Sequence, residues 1–403
     1  MSNKERIVLL YSGGLDTSVI LKWLCDKGYE VLAYTCNVGQ REEWSQLEGK
    51  AKASGASGFL CDDLCAEFVS DFVMPAVAFG ARYEDRYMLG TSLARPLILK
   101  GMIDYCMREG VKTFCHGATG KGNDQVRFEL TAAALAPELK AVVPWRTREF
   151  REQFPGRQEM IAYAMKNNIP IKATTKKPWS SDENLMHISF EAGVLEDPWY
   201  TPDEEMFELT VSPEKAPDRP RIVELEFQAG LPVALDGKAL PLLELFMELN
   251  RIAGENGIGR IDIVESRYVG MKSRGVYETP GGAVLHAAYR DLETITCDRG
   301  IIQLKDSLMP RFAKLVYDGY WYGEECRLLR YMLADTMKRV SGTVRLKLYK
   351  GNLMPVGRKS PLSLYDSDVA SMENDHGAYD QDDATGFIRL NALPLRTIAR
   401  RKI

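Results

Sequence analysis

The sequence lacks any long run of apolar residues. No stretch approaches the ~18 consecutive apolar residues that a membrane-spanning helix needs, so no membrane partner is expected. The first apolar run, residues 7–11, is too short for the core of a signal peptide, and no small-residue cleavage site follows it. These absences predict a cytoplasmic protein.

An excess of positive charge is also absent. Lys and Arg together number 52, Asp and Glu number 56, and the net charge is -4. Proteins whose main task is to bind nucleic acid usually carry a basic balance. The charge therefore argues against a nucleic-acid partner, although a local basic patch would escape this argument.

The 8 cysteines form no CxxC pair. Cys61 and Cys65 lie close together, but no second pair and no nearby histidine completes a metal-binding set. Most of the cysteines sit in apolar segments, which is typical of reduced thiols in a core. We expect no fixed metal site in the protein itself.

What remains is an ordinary globular composition in a long chain. Hydrophobic residues make up 45% and charged residues 27% of 403 positions. At ~100–200 residues per domain, this length predicts two or three domains. We find no internal repeat and no low-complexity block.

The first 172 residues predict a nucleotide-binding α/β domain. Short apolar strands alternate with segments of helical period, and this rhythm indicates a parallel, Rossmann-like sheet covered by helices on both faces. The predicted strands cover residues 6–11, 30–38, 58–63, 111–118 and 141–145. The predicted helices cover residues 17–28, 42–53, 91–110 and 123–135.

Residues 173–362 predict a second domain of α+β type. The segment 173–220 shows little periodicity, and two hairpin-like pairs follow at 223–238 and 343–358. Between them, helical patterns occupy residues 241–253, 283–298, 301–318 and 325–340. A C-terminal tail, residues 363–403, carries apolar side chains that pack either on their own domain or on another subunit.

The first motif with chemical content is Ser12-Gly13-Gly14-Leu15-Asp16-Thr17-Ser18, between the first strand and the first helix. Free backbone N–H groups and the positive helix end at such a junction suit an anion, and glycines allow close approach. A carboxylate here should repel phosphate. Asp16 therefore either faces a magnesium ion or sets the shape of the loop.

The second motif covers residues 115–129, CHGATGKGNDQVRFE, and again follows a strand and opens a helix. It should lie on the same sheet edge as the first loop. Its glycines expose backbone amides, and Thr119, Asn123, Asp124 and Arg127 offer both signs of charge. A zwitterionic amino acid requires this mixture.

The first loop is not a Walker A loop, since no Gly-Lys-Ser/Thr follows. It resembles the pyrophosphate loop of the ATP pyrophosphatase superfamily. With residues 91–96 (TSLARP), 177–193 and 265–282 (ESRYVGMKSRGVYETPGG), both loops resemble the argininosuccinate synthase family in order and spacing. The resemblance runs from Ile7 to the last predicted helix.

The resemblance implies an ATP-binding set at the first loop, at the end of the second strand and in the glycine-rich loop. That set is Leu10, Tyr11, Ser12, Gly13, Gly14, Leu15, Asp16, Thr17, Ser18, Cys36 and Gly117. Leu10 and Cys36 replace alanines expected at those positions. Backbone contacts to adenine tolerate either replacement, although Cys36 crowds the ring slightly.

The resemblance also implies two amino-acid sites and a homotetramer. The positions that match citrulline binding between the domains are Tyr87, Thr91, Asn123, Arg127, Ser180, Ser189, Glu265 and Tyr277. The positions assigned to aspartate are Arg95, Thr119, Asn123 and Asp124. The implied reaction joins the two amino acids through a citrullyl-adenylate and releases pyrophosphate and AMP, in arginine biosynthesis or the urea cycle.

Ser12, Asp16 and Asp124 are the predicted catalytic residues, with Mg²⁺ carried by ATP. The proton acceptor for the aspartate amine is left open between Asp124, His116 and a substrate phosphate. His116 is either this base or a residue that shapes the loop by hydrogen bonding.

Two other functions are alternatives to this ligase. An RNA-thiolating enzyme of the same superfamily would need a catalytic cysteine pair and a basic surface, which the sequence does not offer. A non-enzymatic nucleotide-binding protein would have no need for the serine and glutamate motifs after residue 177.

Overall fold

A computed structural model describes residues 4–170, 177–373 and 377–401. Its N-terminal half is a parallel sheet with helices on both faces, as predicted. A π-helical turn covers Phe68–Val73. The elements are β1 (Arg6–Leu10), α1 (Leu15–Asp26), β2 (Glu30–Asn37), α2 (Trp44–Ala53), β3 (Gly58–Asp63), α3 (Cys65–Glu67), α4 (Met74–Phe79), α5 (Gly90–Glu109), β4 (Thr113–Cys115), α6 (Asp124–Leu135), β5 (Lys140–Val142), α7 (Arg148–Gln153) and α8 (Arg157–Lys166).

The strand order β3-β2-β1-β4-β5 places the two motifs side by side. β1 pairs in parallel with β2 on one side and with β4 on the other, with Leu9 opposite Cys115. The chain turns in opposite directions after β1 and after β4, which opens a crevice at the carboxyl ends of these strands. Both predicted loops flank that crevice.

Both faces of the parallel sheet are buried, which explains the continuous apolar strands. Val8 belongs to the core cluster on one face, and Ile7 and Leu9 belong to the cluster on the other. α3 and α4 were not predicted. α4 is buried on nearly all sides, so it has no polar face that would mark it as a helix in the sequence.

The C-terminal half contains two antiparallel sheets, of order β10-β9-β8-β13-β14 and β11-β12-β7-β6. Its elements are β6 (Ser180–Asn184), β7 (His187–Glu191), β8 (Arg221–Gln228), β9 (Leu231–Leu235), β10 (Lys238–Ala239), α9 (Leu242–Glu255), β11 (Arg260–Ser266), β12 (Lys272–Glu278), α10 (Pro280–Thr296), α11 (Arg299–Asp318), α12 (Glu324–Met337), β13 (Gly342–Tyr349), β14 (Asn352–Lys359), α13 (Ser367–Ala370), α14 (Asp382–Asn391) and α15 (Leu393–Arg401).

Both predicted hairpins and all four predicted helices of this half are confirmed. The β6–β7 hairpin and the β11–β12 hairpin were not predicted. β6 reads SSDEN, without an apolar residue, so only its pairing with β7 makes it a strand. The predicted boundary at residue 172 lies outside the described residues.

Aromatic side chains join the two halves into one core. Phe72 stacks on Trp321 with ring centroids 4.8 Å apart, and Phe79 stacks on Phe312 at 4.3 Å. These four rings are almost fully buried. The facing edges of the two halves form a cleft above the parallel sheet.

Along the described residues, no helix is long and apolar enough to cross a membrane. The last two helices, α14 and α15, are exposed along nearly their whole length.

Candidate active site

Two adjoining cavities occupy the cleft above the crevice at the carboxyl ends of β1 and β4. The larger, of about 820 Å³, lies over the carboxyl ends of β1 and β2. The smaller, of about 190 Å³, lies between the glycine-rich loop and the sheet that contains β7 and β12. Arg95, Ala118, Asp124 and Asp182 line both cavities and form the wall between them.

The first loop borders the larger cavity. The hydroxyl oxygens of Ser12 and Thr17 lie 3.0 Å apart, and the Gly14 N–H donates to the Ser12 hydroxyl at 3.4 Å. Of the predicted ATP-binding residues, Ser18 is the exception. It is buried behind the loop, with its hydroxyl oxygen 3.1 Å from the Tyr11 hydroxyl. The other predicted ATP-binding residues line the cavity, including Leu10, Cys36 and Gly117.

Gly13 holds the conformation of this loop. Its φ is +72°, a region that side chains disfavour, and an added Cβ would lie 2.3 Å from a Leu47 methyl carbon. Gly14 has φ -75° and would place a Cβ at 3.5 Å from the Ser12 hydroxyl, an ordinary contact.

We expect Gly13→Ala to lower the free energy of unfolding by about 1–3 kcal/mol and to weaken ATP binding, because strain and overlap coincide there. Gly14→Ala is the matched control for stability and should change unfolding by less than about 1 kcal/mol. Chemical denaturation of both variants measures the difference. Equal destabilisation would show that the loop does not depend on the positive φ of Gly13.

Asp16 lies in the first turn of α1, at the positive end of the helix. Burial in the cleft raises the pKa of its carboxyl above the usual range, and Arg157 opposes part of that shift. Both residues line the larger cavity. A carboxylate and two hydroxyl groups on one loop are the oxygen ligands that Mg²⁺ prefers.

The end of β2 is fixed by Gln40, which was not among the predicted site residues. Its side-chain amide donates to the Cys36 carbonyl at 2.8 Å and accepts from the Val38 N–H at 2.9 Å. Burial raises the pKa of the Cys36 thiol, so this sulfur stays protonated and unreactive.

The smaller cavity gathers most of the predicted amino-acid-binding residues. Those that line it are Tyr87, Thr91, Arg95, Thr119, Asn123, Asp124, Arg127, Ser189, Glu265 and Tyr277. Ser180 is the exception, since it lies exposed at the start of β6.

Charges of both signs are held in fixed pairs at the wall. Arg95 donates to Asp124 at 2.9 Å and to Asp182 at 2.7 Å, while Arg127 donates to Asp124 at 3.1 Å and to the Tyr317 carbonyl at 3.0 Å. Burial opposes ionisation of Asp124, but the two arginines hold the pKa of its carboxyl below the usual range. Asp124 is therefore an anion and a poor proton acceptor.

Glu265 is held differently, by neutral donors. The hydroxyls of Tyr277 and Tyr317 donate to its two carboxylate oxygens at 2.9 and 2.6 Å. Within the part of the chain that the structure describes, no cationic side chain pairs with it. This buried negative charge suits an ammonium group of a ligand.

His187 is hydrogen-bonded to the Thr91 hydroxyl. The Thr91 hydroxyl donates to Asp182 at 3.1 Å, so the contact of 3.0 Å between the same hydroxyl and His187 Nε2 has the histidine as donor. Burial lowers the pKa of His187 to about 3, which keeps the ring neutral. A buried, neutral ring that fixes the Thr91 hydroxyl fits a structural role.

His116 is fully buried and packs against Phe128. Its Nε2 atom lies 3.5 Å from the Glu129 carboxylate, which also accepts from Arg146 at 2.7 Å. It borders the larger cavity and not the smaller one. This position favours loop shaping over proton transfer to an amino acid.

Several side chains at the site were not predicted individually. Asp182, Glu191 and Arg267 line the smaller cavity, and Arg41 and Arg157 line the larger one. Asp182, Glu191 and Arg267 lie inside motifs that carried the resemblance, but the sequence does not reveal which side chains of a hairpin face the cleft.

Comparison with known proteins matches the two halves separately. Residues 6–170 match the model described as the arginosuccinate synthase N-terminal HUP domain, and residues 179–398 match the arginosuccinate synthase C-terminal domain.

Full-length relatives agree. The chain is 55% identical to the argininosuccinate synthase of Desulfotalea psychrophila, over 97% of this chain and 98% of that protein. It is 51% identical to the enzyme of Thermotoga maritima, over 98% and 97% of the two chains. It is 49% identical to that of Mus musculus, over 99% and 98%.

Proposed function

This chain belongs to the argininosuccinate synthase family, and from that premise we propose that its two adjoining cavities hold the three substrates of the reaction. The protein is a ligase that forms a C–N bond between citrulline and aspartate at the expense of ATP. We assign ATP to the larger cavity and the two amino acids to the smaller one. The shared wall of Arg95, Ala118, Asp124 and Asp182 is the observation that carries this assignment.

ATP is oriented by the first loop. The N–H groups at the start of α1 and the hydroxyls of Ser12 and Thr17 face the cavity and suit the β and γ phosphates. Asp16 with these hydroxyls fits a Mg²⁺ ion, which supplies neutralisation of phosphate charge. The adenine then extends toward Cys36 and Gly117.

Citrulline is held by its amino-acid end. Glu265 receives the α-ammonium group, and Arg127 receives the α-carboxylate. Tyr87 and Tyr277, stacked at 4.6 Å, form an apolar wall for the methylene chain. The ureido group then points to the wall between the cavities, where it meets the α-phosphate.

The first chemical step occurs at that wall. The ureido oxygen attacks the α-phosphorus, the bond to the β-phosphate oxygen breaks, and pyrophosphate leaves. A neutral urea is a poor electrophile without a leaving group, and adenylation supplies one. The protein contributes alignment, and the N–H groups and hydroxyls of the first loop face the charge that develops on the phosphates.

The second step needs a neutral aspartate amine. Asp124 is paired with two arginines, and His116 does not border the smaller cavity. Of the three candidate acceptors, the phosphate of the adenylate remains. The amine attacks the ureido carbon, the C–O bond to the phosphate breaks, and AMP leaves with the proton.

Dependence of product release on the co-substrates tests this function. Pyrophosphate release should require ATP and citrulline, and AMP release should require aspartate as well. An RNA-thiolating enzyme would release neither in response to these amino acids, and a nucleotide-binding protein without catalysis would release no product at all.

We expect Arg127→Leu to raise the KM for citrulline more than tenfold. A charge-assisted hydrogen bond contributes about 1.5–3 kcal/mol, and this side chain is buried in the cavity wall. The same change also leaves the Tyr317 carbonyl without its donor. Arg127→Lys, which keeps a positive charge, should therefore be measured beside it. Unchanged citrulline kinetics with weakened aspartate binding would contradict the assignment.

Family membership places the protein in arginine biosynthesis. The homotetramer, the cytoplasmic location, a role in a urea cycle, and domain boundaries at residues 172 and 362 remain proposals. The exposed C-terminal helices support the tetramer. The role of Ser180 in citrulline binding also remains a prediction.

A further inference from the structure

The smaller cavity is lined by three arginines, and they are not equally engaged. Arg95 is held by two aspartates, and Arg127 by Asp124 and the Tyr317 carbonyl. Among the described residues, the guanidinium of Arg267 donates only to the Glu191 carboxylate. Arg267 therefore keeps most of its five N–H donors free for a ligand.

Arg267 sits at the tip of the β11–β12 hairpin, over the mouth of the cavity. Its backbone N–H donates to the Met271 carbonyl at 2.8 Å, which closes the tip. Its side chain is 19% exposed, whereas that of Glu191 is 50% exposed. The pair thus lies at the cavity edge with the cation turned inward.

The same hairpin tip sets the orientation of Asn123. The Tyr268 N–H donates to the Asn123 side-chain oxygen at 3.0 Å, so the amide NH₂ group is left to face the cavity. An amide NH₂ beside a guanidinium forms a donor set for a carboxylate. Thr119, across the same cavity, adds a hydroxyl.

The two amino acids bring three carboxylates to this cavity. Arg127 serves the carboxylate of citrulline in the proposed function, and Arg95 is occupied by Asp124 and Asp182. Aspartate carries two carboxylates, and its predicted site includes Asn123, to which the hairpin tip is tied. We propose that Arg267 binds a carboxylate of aspartate and that Glu191 aligns its guanidinium; this rests on the proposed function.

Kinetics of Arg267→Leu test the proposal. The KM for aspartate should rise at least tenfold, while the KM for citrulline changes less than twofold. A single-turnover burst of pyrophosphate with ATP and citrulline should persist, because aspartate takes no part in that step. Arg267→Lys, which keeps the charge but not the forked geometry, should give an intermediate KM for aspartate.

Lys272→Leu is the matched control. It removes one positive charge from the same hairpin, where Lys272 is exposed and bonds to Ser266. The KM for aspartate should stay within twofold of wild type, which separates direct binding from a general electrostatic effect.

Three results would overturn the inference. They are an unchanged aspartate KM in Arg267→Leu, a rise in the citrulline KM instead, or loss of the pyrophosphate burst in both Arg267 variants. Failure of the proposed function itself is distinct, since the unmodified protein would then show no burst with ATP and citrulline.

Discussion

Asp16→Asn should reduce the rate of pyrophosphate release by about 10²-fold or more and leave the thermal unfolding midpoint nearly unchanged. Removal of one fixed group that stabilises developing charge typically costs ~10²–10³ in rate. Asparagine has nearly the same shape as aspartate. Among the described residues, the hydrogen bonds that define the loop involve Ser12, Gly14 and Thr17 and not the Asp16 side chain. The loss should therefore appear in catalysis and not in folding.

The dependence on magnesium separates the two roles open to Asp16. If it contributes to the Mg²⁺ site, the variant should need a higher Mg²⁺ concentration for half-maximal rate. Asp26→Asn is the matched control, because it removes a carboxylate from the other end of α1, where Asp26 pairs with Lys22 at the surface. Wild-type turnover of Asp16→Asn with unchanged magnesium dependence would remove Asp16 from the mechanism.

The N-terminal fold follows from local pattern. Strands buried on both faces read as continuous apolar runs, and each ends in a loop with glycine or polar residues, so a parallel sheet is the consistent solution. From there, parallel strand ends bring the loops after β1 and β4 to one edge. This reasoning predicted that the two motifs meet, and the strand order, with β1 beside β4, confirms it.

The second sheet of the C-terminal half does not follow from local pattern. β6 has no apolar residue, and β7 pairs with β12, nearly 90 positions away in the chain. The register places Asp182 opposite Ser189, and both line the cavity. Side-chain direction in such strands is set by tertiary pairing, so the resemblance supplied Ser189 while Asp182 was missed.

The ion pairs that charged side chains form are likewise visible only in the structure. The resemblance to the family assigned Arg95 to an aspartate carboxylate. The structure shows it bridging Asp124 and Asp182, which favours a role in the wall between ATP and the amino acids. Burial and pairing determine which arginine is free, and a sequence contains neither.

The C-terminal tail presents an apolar surface that no core cluster of the described residues covers. α14 ends at Asn391, and Pro394 lies in the first turn of α15, where its missing N–H costs no hydrogen bond. The apolar side chains along them are mostly exposed, with Phe387 at 69% and Leu390 at 70%. Burial of each such side chain contributes about 1.5–3 kcal/mol, so this surface favours association.

If the chain forms the proposed tetramer, deletion of residues 386–403 should convert it to smaller species and leave the fold of each chain intact. No core cluster of the described residues includes a side chain from α14 or α15, so little intrachain packing is lost. Leu390→Asp in the full chain should also produce smaller species. Asn391→Asp, which adds the same charge at the next position, is the control and should leave the oligomer unchanged. Sedimentation velocity and circular dichroism measure both effects. A folded deletion variant that keeps the tetramer mass would show that the tail packs only on its own chain, and the apolar surface of α14 and α15 would then need another explanation.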